Sequence, residues 1–119
     1  MATSDLQRVA EYIDQYLPEI YYVNSEPGCV DIMASGVSKW RGIKILAESL
    51  NIAHEDILTV GNYYNDIDML QHAGVGIAVA NSLPEVKDVA DFVTEYDNNH
   101  DAVAEIISKM LHHEYDITK

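Results

Sequence analysis

Positive charge is the scarcest property of this 119-residue sequence. Seven lysines and arginines stand against 20 aspartates and glutamates, a formal charge of −13. A surface that acidic repels phosphate backbones and anionic headgroups, so neither nucleic acid nor a membrane face is an expected partner. Cysteine is almost missing too. Cys29 stands alone, which excludes an internal disulfide and suits a reducing compartment. No apolar run approaches the roughly 20 residues that span a bilayer. No charged-then-apolar leader follows Met1, and there is no repeat or low-complexity tract. What remains is 48% apolar, enough for a core. The expectation is a cytoplasmic chain forming one domain or part of a larger one.

Two grammars divide the chain. Residues 5–17 place Leu6, Val9, Ile13 and Tyr16 or Leu17 on one face, predicting an amphipathic helix ended by Pro18. Ile20–Val23 and Cys29–Met33 flank Ser25-Glu26-Pro27-Gly28, and Pro-Gly suits the centre of a type II turn, so a β-hairpin follows. Tyr12, Tyr16, Tyr21 and Tyr22 are expected to pack that helix on the hairpin. From Ser38, a plausible N-cap, Trp40, Ile43, Leu46, Ala47 and Leu50 recur at helical spacing. Short apolar strands at 57–61, 75–79 and 92–94 then alternate with helices near 66–72, after Ser82-Leu83-Pro84-Glu85 (a capping-box pattern) and along Val103, Ile106, Ile107 and Met110. Such alternation predicts α/β architecture with a parallel sheet covered on both faces. The break falls near Ala34–Val37.

Ligands of open α/β sheets sit beyond the carboxyl ends of the strands. The first such end reads Gly61-Asn62-Tyr63-Tyr64-Asn65-Asp66, and its side-chain oxygens can hold a hard cation such as Mg²⁺. An equally ordinary reading has Asn65 capping the helix and Asp66 complementing its dipole. Lys39 opens a helix, where the macrodipole disfavours a cation, and can steady an anion there. It can also be a solvated lysine whose stem covers apolar surface. His112, His113 and Asp116 cluster near the C-terminus, but adjacent helical residues diverge by about 100°, so a solvated terminal segment is expected. His54 and His72 are expected to have local roles, and Cys29 to behave as a small apolar residue.

Taken together, Gly36-Val37-Ser38-Lys39, the 61–66 segment with Met69-Leu70, Ala78-Val79-Ala80-Asn81-Ser82, Glu85-Val86-Lys87 and Ala90-Asp91-Phe92-Val93-Thr94 resemble the haloacid dehalogenase-like hydrolases. The match is to their Cof-type branch of Mg²⁺-dependent sugar and nucleotide phosphatases, over residues 29 to about 110. The resemblance implies a partial Rossmann-like core of three short parallel strands over residues 35–119. Residues 1–34 would be a helix-and-hairpin remnant of the cap domain. It further implies that Lys39 stabilises charge on the phosphoryl group and that Asn62 and Asp66 hold Mg²⁺. Asn65 and Asn81 would support the phosphate pocket. Where the family has Gly-Asp, this chain has Gly61-Asn62, which weakens the metal site. Trp40 replaces the small residue usual after the lysine.

The family's nucleophile motif, Asp-x-Asp-Gly, has no counterpart here. Asp66-Ile67-Asp68 is followed by Met69 and lies on a predicted helix, where residues two apart point in different directions. The expectation is therefore a C-terminal fragment of a phosphatase with no turnover of its own. Two rivals are a subunit completing a split phosphatase and a non-catalytic interaction module. Its ligand would be a phosphorylated small molecule once the missing half is supplied. The strand at 57–61 would lack its neighbour, and self-association into a homo-oligomer is expected.

Overall fold

The computed structural model describes residues 3–115. The first amphipathic stretch forms α1 (Thr3–Tyr16). Its buried contact is Ile13, and the Tyr22 hydroxyl donates to the Asp14 carboxylate at 3.0 Å. The expected tyrosine cluster does not form. Tyr12 and Tyr16 pack on each other and are more than half exposed, while the Tyr22 hydroxyl ties the hairpin to Asp14. A phenol whose hydroxyl can stay wet gains little from full burial, so the branched aliphatic Ile13 takes the interior position.

The hairpin pairs β1 (Ile20–Glu26) with β2 (Cys29–Ala34), from Ile20 opposite Ala34 to Glu26 opposite Cys29. Pro27 and Gly28 turn the chain, with Gly28 at φ +78°, the conformation a type II turn demands of its third residue. That turn splays its strands, and the register slips between Asn24 and Glu26, where a bulge restores the pairing.

Ser38 caps α2 (Lys39–Ser49), accepting from the Arg41 N–H at 3.1 Å. The rest alternates: β3 (Leu58–Gly61), a 3₁₀ turn over Tyr64–Asp66, α3 (Ile67–His72), β4 (Val75–Ala78), α4 (Pro84–Val89), β5 (Phe92–Val93) and α5 (Ala102–Leu111). The three strands run parallel in the order β3-β4-β5. Side chains alternate across them. Ala78 meets Leu70 of α3 and Val86 of α4 on one face, while Ile77 meets Ile106 of α5 and Tyr115 on the other. The α/β class and the three short parallel strands are as expected.

Three local expectations are corrected. Ser82 does not cap α4. The helix starts at Pro84 with Leu83 before it, and the buried Ser82 hydroxyl donates to the Gly61 carbonyl at 3.2 Å instead. A hydroxyl this deep satisfies the end of a strand rather than a helix whose first donors are within reach of water. On α2, Trp40 and Ala47 are buried but Leu46 and Leu50 face solvent, Leu46 at 60% exposure. On α5, Ala102 and Ile106 are buried while Val103, Ile107 and Met110 are not. Periodicity marks the face that gains from burial; a covering layer has to be present for the gain to be realised.

The uncovered faces accompany an open sheet edge. Val75 and Val79 donate to the carbonyls of Ile57 and Gly61, so alternate residues of β3 point their backbone groups at β4. Leu58 and Val60 therefore point theirs the other way, where no described strand lies. A groove of about 430 Å³ lies at the carboxyl ends of β3 and β4, lined by Val60, Gly61, Asn62, Val79, Ala102 and Val103.

The burial difference between two leucines gives a direct check. Leu70→Ala, at a fully buried position, is expected to cost about 2–5 kcal/mol in urea unfolding. Leu46→Ala is expected to stay within about 0.5 kcal/mol.

Candidate active site

The segment after β3 is held by one carboxylate. Asp66 Oδ2 accepts from the backbone N–H groups of Asn62 at 2.8 Å and Tyr63 at 3.2 Å, and the Asp66 N–H donates to the Tyr63 carbonyl at 3.0 Å. The chain thus curls around its own side chain. Gly61 makes this possible, because a Cβ there would stand 2.4 Å from the Asp66 Cβ. Below the loop, Thr59 Oγ1 donates to the Met69 carbonyl, and the Leu83 N–H donates to the Asn62 carbonyl.

Lys39 reaches this carboxylate from 27 residues upstream. Its Nζ lies 2.6 Å from Asp66 Oδ1, with the lysine side chain 48% exposed and the aspartate 5% exposed. The ion pair answers why a cation stands at the start of α2: the nearby carboxylate outweighs the unfavourable end of the helix dipole. Trp40, next in sequence, is packing. It is buried, stacked on His72 at 5.6 Å and edge-on to His54 at 5.1 Å, against Met69 and Ala73.

Lys39 and Asn65 share a cavity of about 370 Å³, whose far wall is the hairpin, through Tyr21, Val23, Asp31 and Met33. Tyr64 also lines it, and the Glu85 carboxylate beside that phenol, with some desolvation, raises its pKa above the ordinary value, keeping it a neutral hydrogen-bond donor. Asn65 makes no cap for α3, whereas Asp66 accepts from the Tyr63 N–H at the start of the 3₁₀ turn, so of the ordinary reading the aspartate half holds and the asparagine half does not. Asn62 is half-buried on the other side of Asp66 and lines the groove beside β3. The Asn81 amide donates to the Asn98 side chain at 2.8 Å and its oxygen accepts from the Asn98 N–H at 3.3 Å, tying the loop after β5 to the end of β4. The hairpin residues in the cavity wall carried no sequence signal, because nothing in a β1 or β2 pattern tells which neighbour an exposed face meets.

The side-chain oxygens of Asp66 and Asn62 are of the kind a hard divalent cation takes. They are few in number. Among the described residues no three His, Cys, Asp or Glu side chains gather into a metal cluster. His112 is bound to the Ser108 carbonyl, and Asp116, the third member of the C-terminal group, lies outside the described residues. No helix among the described residues is long and apolar enough to cross a membrane.

Comparison with known proteins shows the family and the fold. Residues 2–107 match the haloacid dehalogenase-like hydrolase family model. The chain is 34% identical over 89 residues to the 5-amino-6-(5-phospho-D-ribitylamino)uracil phosphatase YcsE of Bacillus subtilis, covering 75% of this chain and 35% of that protein. A haloacid dehalogenase-like hydrolase from Bacteroides thetaiotaomicron superposes with a TM-score of 0.74 at 30% identity, over 90% of this chain and 40% of that one. The subclass IIB sugar phosphatase BT4131 superposes with a TM-score of 0.74 at 28% identity, covering 91% and 40%. The chain spans about two fifths of the length of the curated relatives it matches.

The asymmetry of the ion pair is testable in stability. Asp66→Ala leaves the Asn62 and Tyr63 N–H groups without their acceptor and is expected to cost about 1–3 kcal/mol in urea unfolding. Lys39→Met, at the half-exposed end, is expected to cost less than about 1 kcal/mol.

Proposed function

The chain belongs to the haloacid dehalogenase-like hydrolases, matching the C-terminal part of its Cof-type members, and we propose that it carries the charge-stabilising and cation-holding half of a phosphomonoester phosphatase site. The observation that carries this reading is the Lys39–Asp66 pair at 2.6 Å beyond the carboxyl end of β3, opening on a cavity shared with Asn65. Asp66, with Asn62 beside it, would hold Mg²⁺, which supplies positive charge to the phosphate ester when bound. Lys39 places an ammonium where negative charge grows on the transferred phosphoryl group. Asn65 offers an amide to the same group, and the hairpin wall encloses the alcohol portion.

The attacking carboxylate comes from a segment bearing Asp-x-Asp-Gly. It displaces the alcohol from phosphorus, forming an acyl phosphate that water then cleaves. The outward backbone groups of Leu58 and Val60 are where such a strand would pair, which favours the reading of this chain as a completing subunit. With no such strand present, the same edge pairs with a second copy.

Two measurements test this. The 119-residue chain alone is expected to show no Mg²⁺-dependent hydrolysis of p-nitrophenyl phosphate. The chain completed by a segment bearing Asp-x-Asp-Gly should hydrolyse it, and Lys39→Ala should lower that kcat by about 10²–10³. Turnover by the isolated chain that is lost in Lys39→Ala overturns the division of labour. In light scattering the isolated chain is expected above its monomer mass of 13.3 kDa, and a strictly monomeric mass argues against edge pairing.

A further inference from the structure

One carboxylate in the cavity wall has no partner. Strand pairing sets Val23 opposite Asp31 and Tyr21 opposite Met33, so these four side chains share one face of the hairpin. All four line the cavity of about 370 Å³, whereas Ile20 and Ile32 line a separate groove against α1. Asp31 is the one charged group on the cavity face of the hairpin, among a tyrosine, a valine and a methionine. Its carboxylate has no hydrogen-bond or ion-pair partner among the described residues.

The opposite wall is already balanced. Lys39 borders the cavity while paired with Asp66 at 2.6 Å, so that pair adds no net charge. Asp68 stands 3.1 Å from a His72 ring nitrogen. Tyr64 is held neutral by the Glu85 carboxylate beside it. The charge left over in the cavity is therefore negative, and Asp31 supplies it alone on the hairpin side. A phosphate ester with a neutral alcohol portion gains nothing from that carboxylate. An ammonium on the alcohol portion gains an unshared acceptor, and it offsets the repulsion of a chain of charge −13. A volume of about 370 Å³ lies at the small end of ligand pockets and suits a compact ester.

We propose that Asp31 is a specificity-determining residue of this cavity and selects phosphate esters whose alcohol portion carries a protonated amine. This rests on the reading of the Lys39 end as the phosphoryl end. The two walls then divide the ligand, with the phosphoryl group towards Lys39 and Asn65 and the ammonium towards Asp31 on β2. The contact is a charge-assisted hydrogen bond from the ammonium to an Asp31 oxygen. It displaces no existing bond of the hairpin, because Asp31 has no partner to give up.

Glucosamine 6-phosphate and glucose 6-phosphate differ at one position, an amine in place of a hydroxyl. Each is titrated into the 119-residue chain with Mg²⁺ present, following the Asn65 side-chain amide and the Asp31 backbone amide by NMR. The amine-bearing ester is expected to bind about tenfold more tightly than the neutral one. Asp31→Asn, which keeps the shape of an exposed side chain, is expected to bring the two affinities within about twofold. Glu26→Gln removes the same charge at the exposed end of β1, away from the cavity, and is expected to keep the tenfold preference. No preference in the unaltered chain, a preference that survives Asp31→Asn, or one that Glu26→Gln abolishes as well overturns the role of Asp31. A saturable Asn65 response to both esters in those cases leaves the phosphoryl reading standing. No saturable Asn65 response to either ester overturns both.

Discussion

The Asp66 carboxylate is the constraint on which the candidate site depends. It is nearly buried, yet it is charged, and a buried charge persists only where its acceptor capacity is filled. Here the filling comes from two directions. The amides of Asn62 and Tyr63 curl the chain beyond β3, and Lys39 draws the start of α2 to the same point. One side chain thereby fixes the loop, the turn into α3 and the approach of a helix that begins far upstream. Gly61 is the steric counterpart of that arrangement, since only a residue without Cβ leaves room for the carboxylate.

A second constraint acts at the level of the layer. Three parallel strands with α3 and α4 on one face and α5 on the other make a covered sheet, but β3 has a neighbour on one side only among the described residues. Uncovered apolar positions on α2 and α5 belong with this edge. They are the mark of a sheet whose architecture accommodates another element. The site shares this partial character: it sets one lysine against one carboxylate beside a walled cavity.

The acidity of the chain takes on a local meaning beside this site. With seven basic residues in the whole sequence, the one at the site is committed to an acidic partner. The surrounding negative field attracts divalent cations and repels phosphate esters.

Much of this was legible in the amino-acid order. Helix spacing, the Pro27-Gly28 turn, the Ser38 cap and unalternating strands determined the elements and the parallel α/β class, because each depends on residues within a turn or two of chain. The resemblance carried by Lys39 and the 61–66 segment singled out two stretches that the fold brings together through the Lys39–Asp66 pair. Tertiary structure alone decided what those residues do to one another. It joined Lys39 to Asp66, put the hairpin across the cavity from Asn65, tied Asn81 to Asn98 and turned Ser82 from a cap into a tie for β3. It also left Leu46 and Leu50 bare. The physical reason is common to all five. Local preference states what a residue gains from a partner or from burial, whereas the partner's identity and the covering layer are set by segments tens of residues away, through the packing of helices on a shared sheet.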